Sequence, residues 1–303
     1  MGLRPTFEIL SNDKDITAQI SQHLISLSIT DELEDRSDSF TMRLSDIEIP
    51  EDVELKIFLG WDDVNSYIGS FIVSDVEISL KEPVLTISGK AANLHGKIKQ
   101  VKRRSFENTS LEGIVSKVAE ENNLGIKYTF DSIPIIYIGQ KEESDLSFLN
   151  RLARQYGAIF SIKNNTVIFI DEADTIIDIE EKEITSGSIK LTGKEYKSVS
   201  AVYRDRKKNA EFKVSAGSGE PCFKLSGTYP NKWFALGNAK RKLLKLRQTH
   251  KSGSISLPGR TDIYAGSKVR LSGFRKEALN VEYLVKKTTY SFTSKGFITT
   301  INI

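Results

Sequence analysis

Hydrophobic and polar residues alternate with a period of two through the first ninety residues. A first strand is expected at Phe7 to Leu10. Ile25, Leu27 and Ile29 share one face of a run from His23 to Thr30. Phe40, Met42 and Leu44 alternate, as do Val53, Leu55, Ile57 and Leu59, and further runs cover Phe71 to Leu80 and Val84 to Ser88. Gly, Asp, Asn and Pro separate the runs. This pattern predicts antiparallel strands with one buried face. Several of them at this spacing predict a sandwich or barrel.

From about residue 104 the period changes. Thr109 or Ser110 is placed to cap a helix in which Leu111, Ile114, Val115, Val118 and Ala119 form one apolar stripe, with Asn122-Asn123 and Gly125 as the stop. A second helix is expected from Ser144, with Leu146, Leu149, Leu152, Ala153 and Tyr156 on one face and Gly157 at its end. Ala158 to Lys163, a turn at Asn164-Asn165 and Thr166 to Ile170 read as a hairpin.

The last third is β again. Ile189, Leu191, Val199, Ala201 and Tyr203 begin it. A helix is expected from Asn231 to Gln248 on Trp233, Leu236, Ala239, Leu243 and Leu246. Strands follow at Ser252–Leu257, Lys268–Ser272, Val281–Phe292 and Phe297–Ile303. The expected fold is mainly β with an α+β insert: a first β-barrel domain at 1–103, the insert at 104–184, and a second β-barrel domain with one helix at 185–303. The two β parts look alike. Val53 to Trp61 then Phe71-Ile72-Val73, and Lys268 to Phe274 then Tyr283-Leu284-Val285, each lead into a long strand, a turn and a last strand. This reads as a divergent duplication.

The length of 303 residues allows two or three domains with their own cores. A single cysteine, Cys222, excludes an intramolecular disulfide framework, and three histidines beside it make a Cys/His zinc site a poor fit. No run is long and apolar enough for a membrane span, and the N-terminus has no signal-peptide core. Met1 to Thr6 fits the loose myristoylation pattern but reads better as the lead-in to the first strand.

Charge is uneven. Residues 185–303 carry 24 Lys+Arg against 7 Asp+Glu, while residues 1–184 carry 19 against 33. Such asymmetry points to a polyanion or an oppositely charged protein surface. The densest basic stretch contains Lys240, Arg241, Lys242, Lys245, Arg247, His250 and Lys251; Lys240, Arg241, Lys245 and Arg247 are the candidate interface residues. A second basic run is Lys97, Lys99, Lys102, Arg103 and Arg104.

Catalytic patterns are missing. There is no phosphate-cradling glycine loop and no G-x-S-x-G elbow. His95 has no Cys or Ser neighbour, His250 suits a helix C-terminus, and Cys222 reads as a small buried residue. Glu142, Glu143 and Asp145 complement a helix N-terminus, while Asp171, Glu172 and Asp174 follow a strand and Asp62-Asp63 lie in a turn. No enzymatic activity, cofactor or metal is expected.

Lys141-Glu142-Glu143-Ser144-Asp145-Leu146-Ser147-Phe148-Leu149-Asn150-Arg151-Leu152-Ala153-Arg154-Gln155-Tyr156-Gly157-Ala158 resembles the signature of the phage late control protein D family, the tail baseplate hub proteins related to the base of type VI secretion spikes. Arg104-Ser105-Phe106 through Ile114 is similar to the segment before that signature. Leu257-Pro258-Gly259 through Phe274, and Gly296 to Thr300, are similar to the C-terminal barrel. The chain is short for that family and its helix after Trp233 is unusually basic.

The resemblance implies a structural baseplate hub of a phage tail or tail-like injection particle. It implies a homotrimer whose two barrels per subunit form a pseudo-six-fold ring between the tail tube protein and the central spike protein. Other baseplate proteins would be further partners, and assembly would occur in the bacterial cytoplasm; the uneven charge would serve either acidic and basic surfaces of neighbouring subunits or layers that face each other, or transient DNA passage through the lumen. The alternative reading is a nucleic-acid-binding β-barrel protein with Lys240, Arg241, Lys245 and Arg247 on phosphates and Tyr196, Tyr203 or Phe212 stacking on bases.

Overall fold

The computed structural model describes residues 3–33, 38–45, 53–91, 97–163, 165–171, 176–193, 195–205 and 208–303; His95, Asn164, Glu172 and Asp174 lie outside them. In chain order the elements are β1 (Pro5–Ser11), β2 (Lys14–Asp15), α1 (Thr17–Ser21), β3 (Leu24–Glu32), β4 (Ser39–Ser45), β5 (Glu54–Trp61), β6 (Val64–Ile78) and β7 (Val84–Ala91). Then come β8 (Val101–Ser110), α2 (Leu111–Glu121), β9 (Gly125–Thr129), β10 (Pro134–Ser144), α3 (Asp145–Tyr156), β11 (Ile159–Lys163), β12 (Thr166–Ile170), β13 (Ile176–Glu180) and β14 (Ser186–Leu191). The rest are β15 (Ser198–Asp205), β16 (Ala210–Gly217), β17 (Cys222–Tyr229), α4 (Lys232–His250), β18 (Lys251–Pro258), β19 (Lys268–Ser272), β20 (Glu282–Leu284), β21 (Lys287–Thr293) and β22 (Gly296–Asn302). The protein is mainly β, as its alternation requires.

Two compact units form, each discontinuous in sequence. Unit 1 holds Met1–Gly96, Asp174–Ser188 and Ser254–Ile303; unit 2 holds Lys97–Ala173 and Ile189–Gly253. The basic helix α4 therefore folds with the α+β segment in unit 2.

Unit 1 is built on an eleven-stranded sheet of order β14-β18-β22-β21-β3-β4-β7-β6-β5-β1-β2, with β13-β19-β20 as a smaller sheet. One strand order occurs twice. The first set runs β3-β4-β7-β6-β5-β1. The second runs β14-β18-β22-β21, and continues β20-β19-β13 in the smaller sheet. Corresponding strands also occur in the same chain order, with β20 and β21 standing for the long β6. The sets differ at one end: β1 pairs β5 antiparallel, whereas β13 pairs β19 parallel. The expected single strand Val281–Phe292 is broken at Val285-Lys286. There the Val285 N–H turns to the Ser267 carbonyl and the Lys286 N–H to that of Asn302, and Val285 is fully buried.

The core of unit 1 gathers inward residues of both sets, among them Leu27, Ile29, Phe40, Met42, Leu55, Ile57, Phe71, Ile87, Tyr290, Phe292 and Phe297. Ile25 departs from its expected face. A register shift between Leu24 and Ser26 breaks the alternation, and Ile25 is 37% exposed while Leu27 and Ile29 are buried.

Unit 2 packs α2 and α3 around the β8–β10 ribbon and the β11-β12-β9 sheet. The Ser110 hydroxyl accepts the Gly113 N–H and caps α2; the Ser144 hydroxyl accepts the Ser147 N–H and caps α3. Gly157 ends α3 in the left-handed region at φ 82°, where a side chain is strained. Phe148, Leu149 and Leu152 are buried, each contributing roughly 1.5–3 kcal/mol of transfer free energy. Leu146, expected on that face, is only half-buried, and Phe148 takes the place in the core.

Helix α4 lies between two neighbours. Ala235, Ala239 and Leu243 face the β16-β15-β17 sheet on Val199, Ala201 and Ala216. Gly237 meets the end of α3: a Cβ there would come within 2.5 Å of the Tyr156 carbonyl carbon, and one on Gly157 within 2.9 Å of the Gly237 oxygen. Small residues on both faces let the helix fit. Asn231 caps it by accepting the Phe234 N–H.

Candidate functional site

The motif at 141–158 and the basic run at 97–104 meet in one polar cluster of unit 2. β8 and β10 are antiparallel, and Arg104 stands opposite Gln140. This places Lys102, Arg104 and Gln140 on the ribbon face turned toward the helices. Asp145, the first residue of α3, is completely buried. It accepts from Lys102 Nζ at 2.7 Å, Arg104 Nη2 at 2.9 Å, Asn122 Nδ2 at 2.8 Å and Gln140 Nε2 at 3.0 Å. Glu121, at the end of α2, pairs with both Lys102 and Arg104. Burial pushes the Asp145 carboxyl up, but the hydrogen bonds from Lys102, Asn122 and Gln140 and the Arg104 charge outweigh it and hold the group below its ordinary value. Glu121 behaves likewise: burial raises it, and Arg104 and Lys102 bring it below its usual range. Glu143, also in the motif, holds Arg151 at 2.6 Å. The motif's charges thus fasten two helices to a ribbon.

The other candidates scatter. Lys240 Nζ sits 2.7 Å from both Asp171 carboxylate oxygens and over the Phe130 ring, so it is tied inside unit 2. Arg241, Lys245 and Arg247 are exposed on the C-terminal half of α4. Lys242 stacks on Phe223, with Nζ 4.7 Å from the ring centroid. His250 Nδ1 lies 2.9 Å from the Thr192 carbonyl oxygen. His23 is half-exposed and stands apart in unit 1. Cys222, expected to be buried, is half-exposed; hydrogen bonds to Ser198 and Ser200 hold its thiol below the ordinary value. Among the described residues no group of three or more His, Cys, Asp or Glu is placed to hold a metal ion, and no helix is long and apolar enough to cross a membrane.

The aromatics considered for base stacking are occupied. Tyr203 and Phe212 stack on each other at 5.7 Å, and Tyr196 meets Phe223 edge-on at 5.4 Å. Tyr203 and Phe223 pack toward α4 with the small unit-2 core. The opposite, solvent-side face of β16-β15-β17 carries Ser200, Ser215, Lys213, Lys224 and Thr228 and no aromatic residue.

The repeated β set and the helix-and-ribbon unit form a fold shared with solved tail proteins. The structure is similar to the 43 kDa tail protein of prophage MuSo2 from Shewanella oneidensis (TM-score 0.71, 15% identity, 98% of this chain and 97% of that one) and to a tail protein from Neisseria meningitidis MC58 (TM-score 0.71, 12% identity, 99% and 96%). A type VI secretion system component from E. coli is similar at TM-score 0.56, with 11% identity over 92% of this chain and 73% of that one.

Residues 72–185 match the family described as phage tail baseplate hub (GPD). The chain is 26% identical to the probable baseplate hub protein of Escherichia phage 186 (100% of this chain, 93% of that protein) and 26% identical to that of Escherichia phage P2 (99% and 93%). Both findings make the chain similar to phage tail baseplate hub (GPD) proteins, the resemblance that the 141–158 motif carries.

Proposed function

We propose that this chain is the structural hub of the baseplate in a phage tail or tail-like injection particle, and that it acts through interfaces rather than catalysis. Three copies form a ring with pseudo-six-fold character that joins the tail tube to the central spike and contacts other baseplate proteins. The observation that carries this is the strand order found twice in unit 1. Two similar β sets per chain give six similar units per trimer, and a closed cyclic ring is an ordinary homo-oligomer symmetry. The division into a first β-barrel domain at 1–103, an insert at 104–184 and a second β-barrel domain at 185–303 belongs to this proposal, with β13 as the strand of the second set that precedes residue 185. Exposed Arg241, Lys245 and Arg247 are proposed interface residues; Lys240 is a packing residue. DNA passage through the lumen and assembly in the bacterial cytoplasm are parts of the same reading.

Gold labelling of a tagged chain in purified tail particles tests it. Label at the tube end where the spike attaches, and loss of baseplates on deletion, is expected. Normal particles without the chain overturn it. The nucleic-acid reading retains the basic charge, but Tyr196, Tyr203 and Phe212, its stacking residues, are packed against other rings. Titration of DNA over a salt series decides it, with no salt-dependent binding as the expected result.

A further inference from the structure

Counting charge by compact unit sharpens the asymmetry. Unit 1 has 16 Lys+Arg against 26 Asp+Glu, and unit 2 has 27 against 14. Much of this charge is internally paired, as for Arg104, Lys240, Arg260 and Arg270. Two places are not. On the solvent-side face of β16-β15-β17, Lys224 stands beside Ser200, and Lys213 beside Val202; both lysines are exposed. Neither has a carboxylate partner among the described residues. Ser215 and Thr228 add hydroxyls, and the one acid on this face, Glu211, accepts from Thr228.

The second place is the β6–β7 hairpin of unit 1. It runs past the core it starts on. Phe71 and Val73 are buried, Val76 is half-buried, Ile78 is 69% exposed and Leu80 at the tip is 99% exposed. Its outer face presents Lys90 opposite Ile72 at the base, then Asp75 opposite Ser88 and Glu77 opposite Thr86, with Lys81 and Glu82 at the tip. Asp75 and Glu77 have no cationic partner among the described residues. The middle of the hairpin is thus acidic, and its tip leaves Leu80 uncovered.

From this pairing we infer that the lysine-and-hydroxyl face of β16-β15-β17 receives the acidic β6–β7 hairpin of a second copy of the chain. Charge complementarity within one sequence favours this occupant. A nucleic acid fits the face less well, because the face carries no aromatic residue on which a base could stack. The contact is head-to-tail, the kind that closes rings or extends into filaments. It rests on the hub reading only in supplying a contact by which copies of the hub associate.

The test uses the full chain at low salt. Lys213→Glu/Lys224→Glu and Asp75→Lys/Glu77→Lys each place like charges in the contact, and each is expected to weaken self-association at least about tenfold by light scattering. The chain carrying all four reversals is expected to recover it. A spin label on Cys222, the native cysteine of the lysine-bearing face, is expected to broaden amide signals of residues 74–82 in an unlabelled, isotope-enriched copy. Self-association unchanged by either pair, failure of the fourfold variant to recover, or a chain that stays monomeric at low salt overturns the inference. DNA binding that disappears with Lys213→Glu/Lys224→Glu while the mass is unchanged also overturns it. Particle labelling judges the hub reading independently.

Discussion

The indole Nε1–H of Trp61 donates to the carbonyl oxygen of Gly259 at 2.8 Å, across 198 residues of sequence. Trp61 ends β5 in the first β set, and Gly259 follows β18 in the second. The Trp61 ring also lies 5.8 Å from Phe297 of β22. Replacing the indole by a phenyl ring removes the donor and keeps an aromatic. Trp61→Phe is expected to cost about 1 kcal/mol, read as a lower denaturant midpoint at unchanged slope. An unchanged midpoint would show that this bond adds no net stability.

Asp145→Asn leaves Lys102 and Arg104 facing a neutral amide in a buried cluster. The cations keep Glu121 and are partly exposed, so the expected loss is about 2–3 kcal/mol. Chemical denaturation followed by hydrogen exchange in 97–173 measures it. Full protection in the variant would count against the cluster as the fastener of α2, α3 and the ribbon.

The same carboxylates set an acid limit. Asp145 and Glu121 are held below their ordinary values in the folded chain. Their stabilisation is complete above the unfolded carboxylate values near 4 and is lost as pH falls through the folded ones. Hydrogen exchange in 97–173 is expected to accelerate below about pH 4, and less steeply in Asp145→Asn. Equal pH slopes in both proteins would refute the assignment.

Leu149→Asp places a carboxylate at a fully buried position of α3. The expected cost exceeds about 4 kcal/mol, enough to unfold unit 2. Limited proteolysis should then cut within 97–173 and 189–253. An unchanged melting curve would contradict the burial of this face.

Gly237→Val drives a branched side chain into the Tyr156 carbonyl. The expected loss is about 2–3 kcal/mol, with faster exchange along α4. Lys240→Ala should also destabilise, by about 1 kcal/mol, because it frees Asp171. Arg241→Ala and Arg247→Ala should leave stability unchanged. Equal melting temperatures for Lys240→Ala and Arg241→Ala would remove the distinction drawn between them.

The helices were legible because their information is local. Leu111, Ile114, Val115 and Val118 share a stripe, and Ser110, Ser144 and Gly157 mark the ends. The β8–β10 ribbon was not legible, since its inward side carries Lys102, Arg104 and Gln140, which read as solvent-facing until Asp145 and Glu121 are brought beside them. The same holds for Lys240, whose partner Asp171 is 69 residues away. Basic residues that pack and basic residues that face solvent look identical in one dimension. The grouping into units was hidden for a related reason: β13 and β14 leave the sequence neighbourhood of the helices to join β19 and β18.

The chain passes between its two units at residues 96, 173, 188 and 253. On the ribosome this imposes a schedule. The first β set emerges early, yet β3 waits for β21, which arrives more than 250 residues later. Until then an edge of the first sheet is open to any extended segment nearby, a condition that favours mispairing. Unit 2, in contrast, receives its final piece with α4. Prematurely stopped chains therefore lack the strand that covers β3, and quality control gains a simple mark by which unfinished copies differ from those fit to enter an assembly.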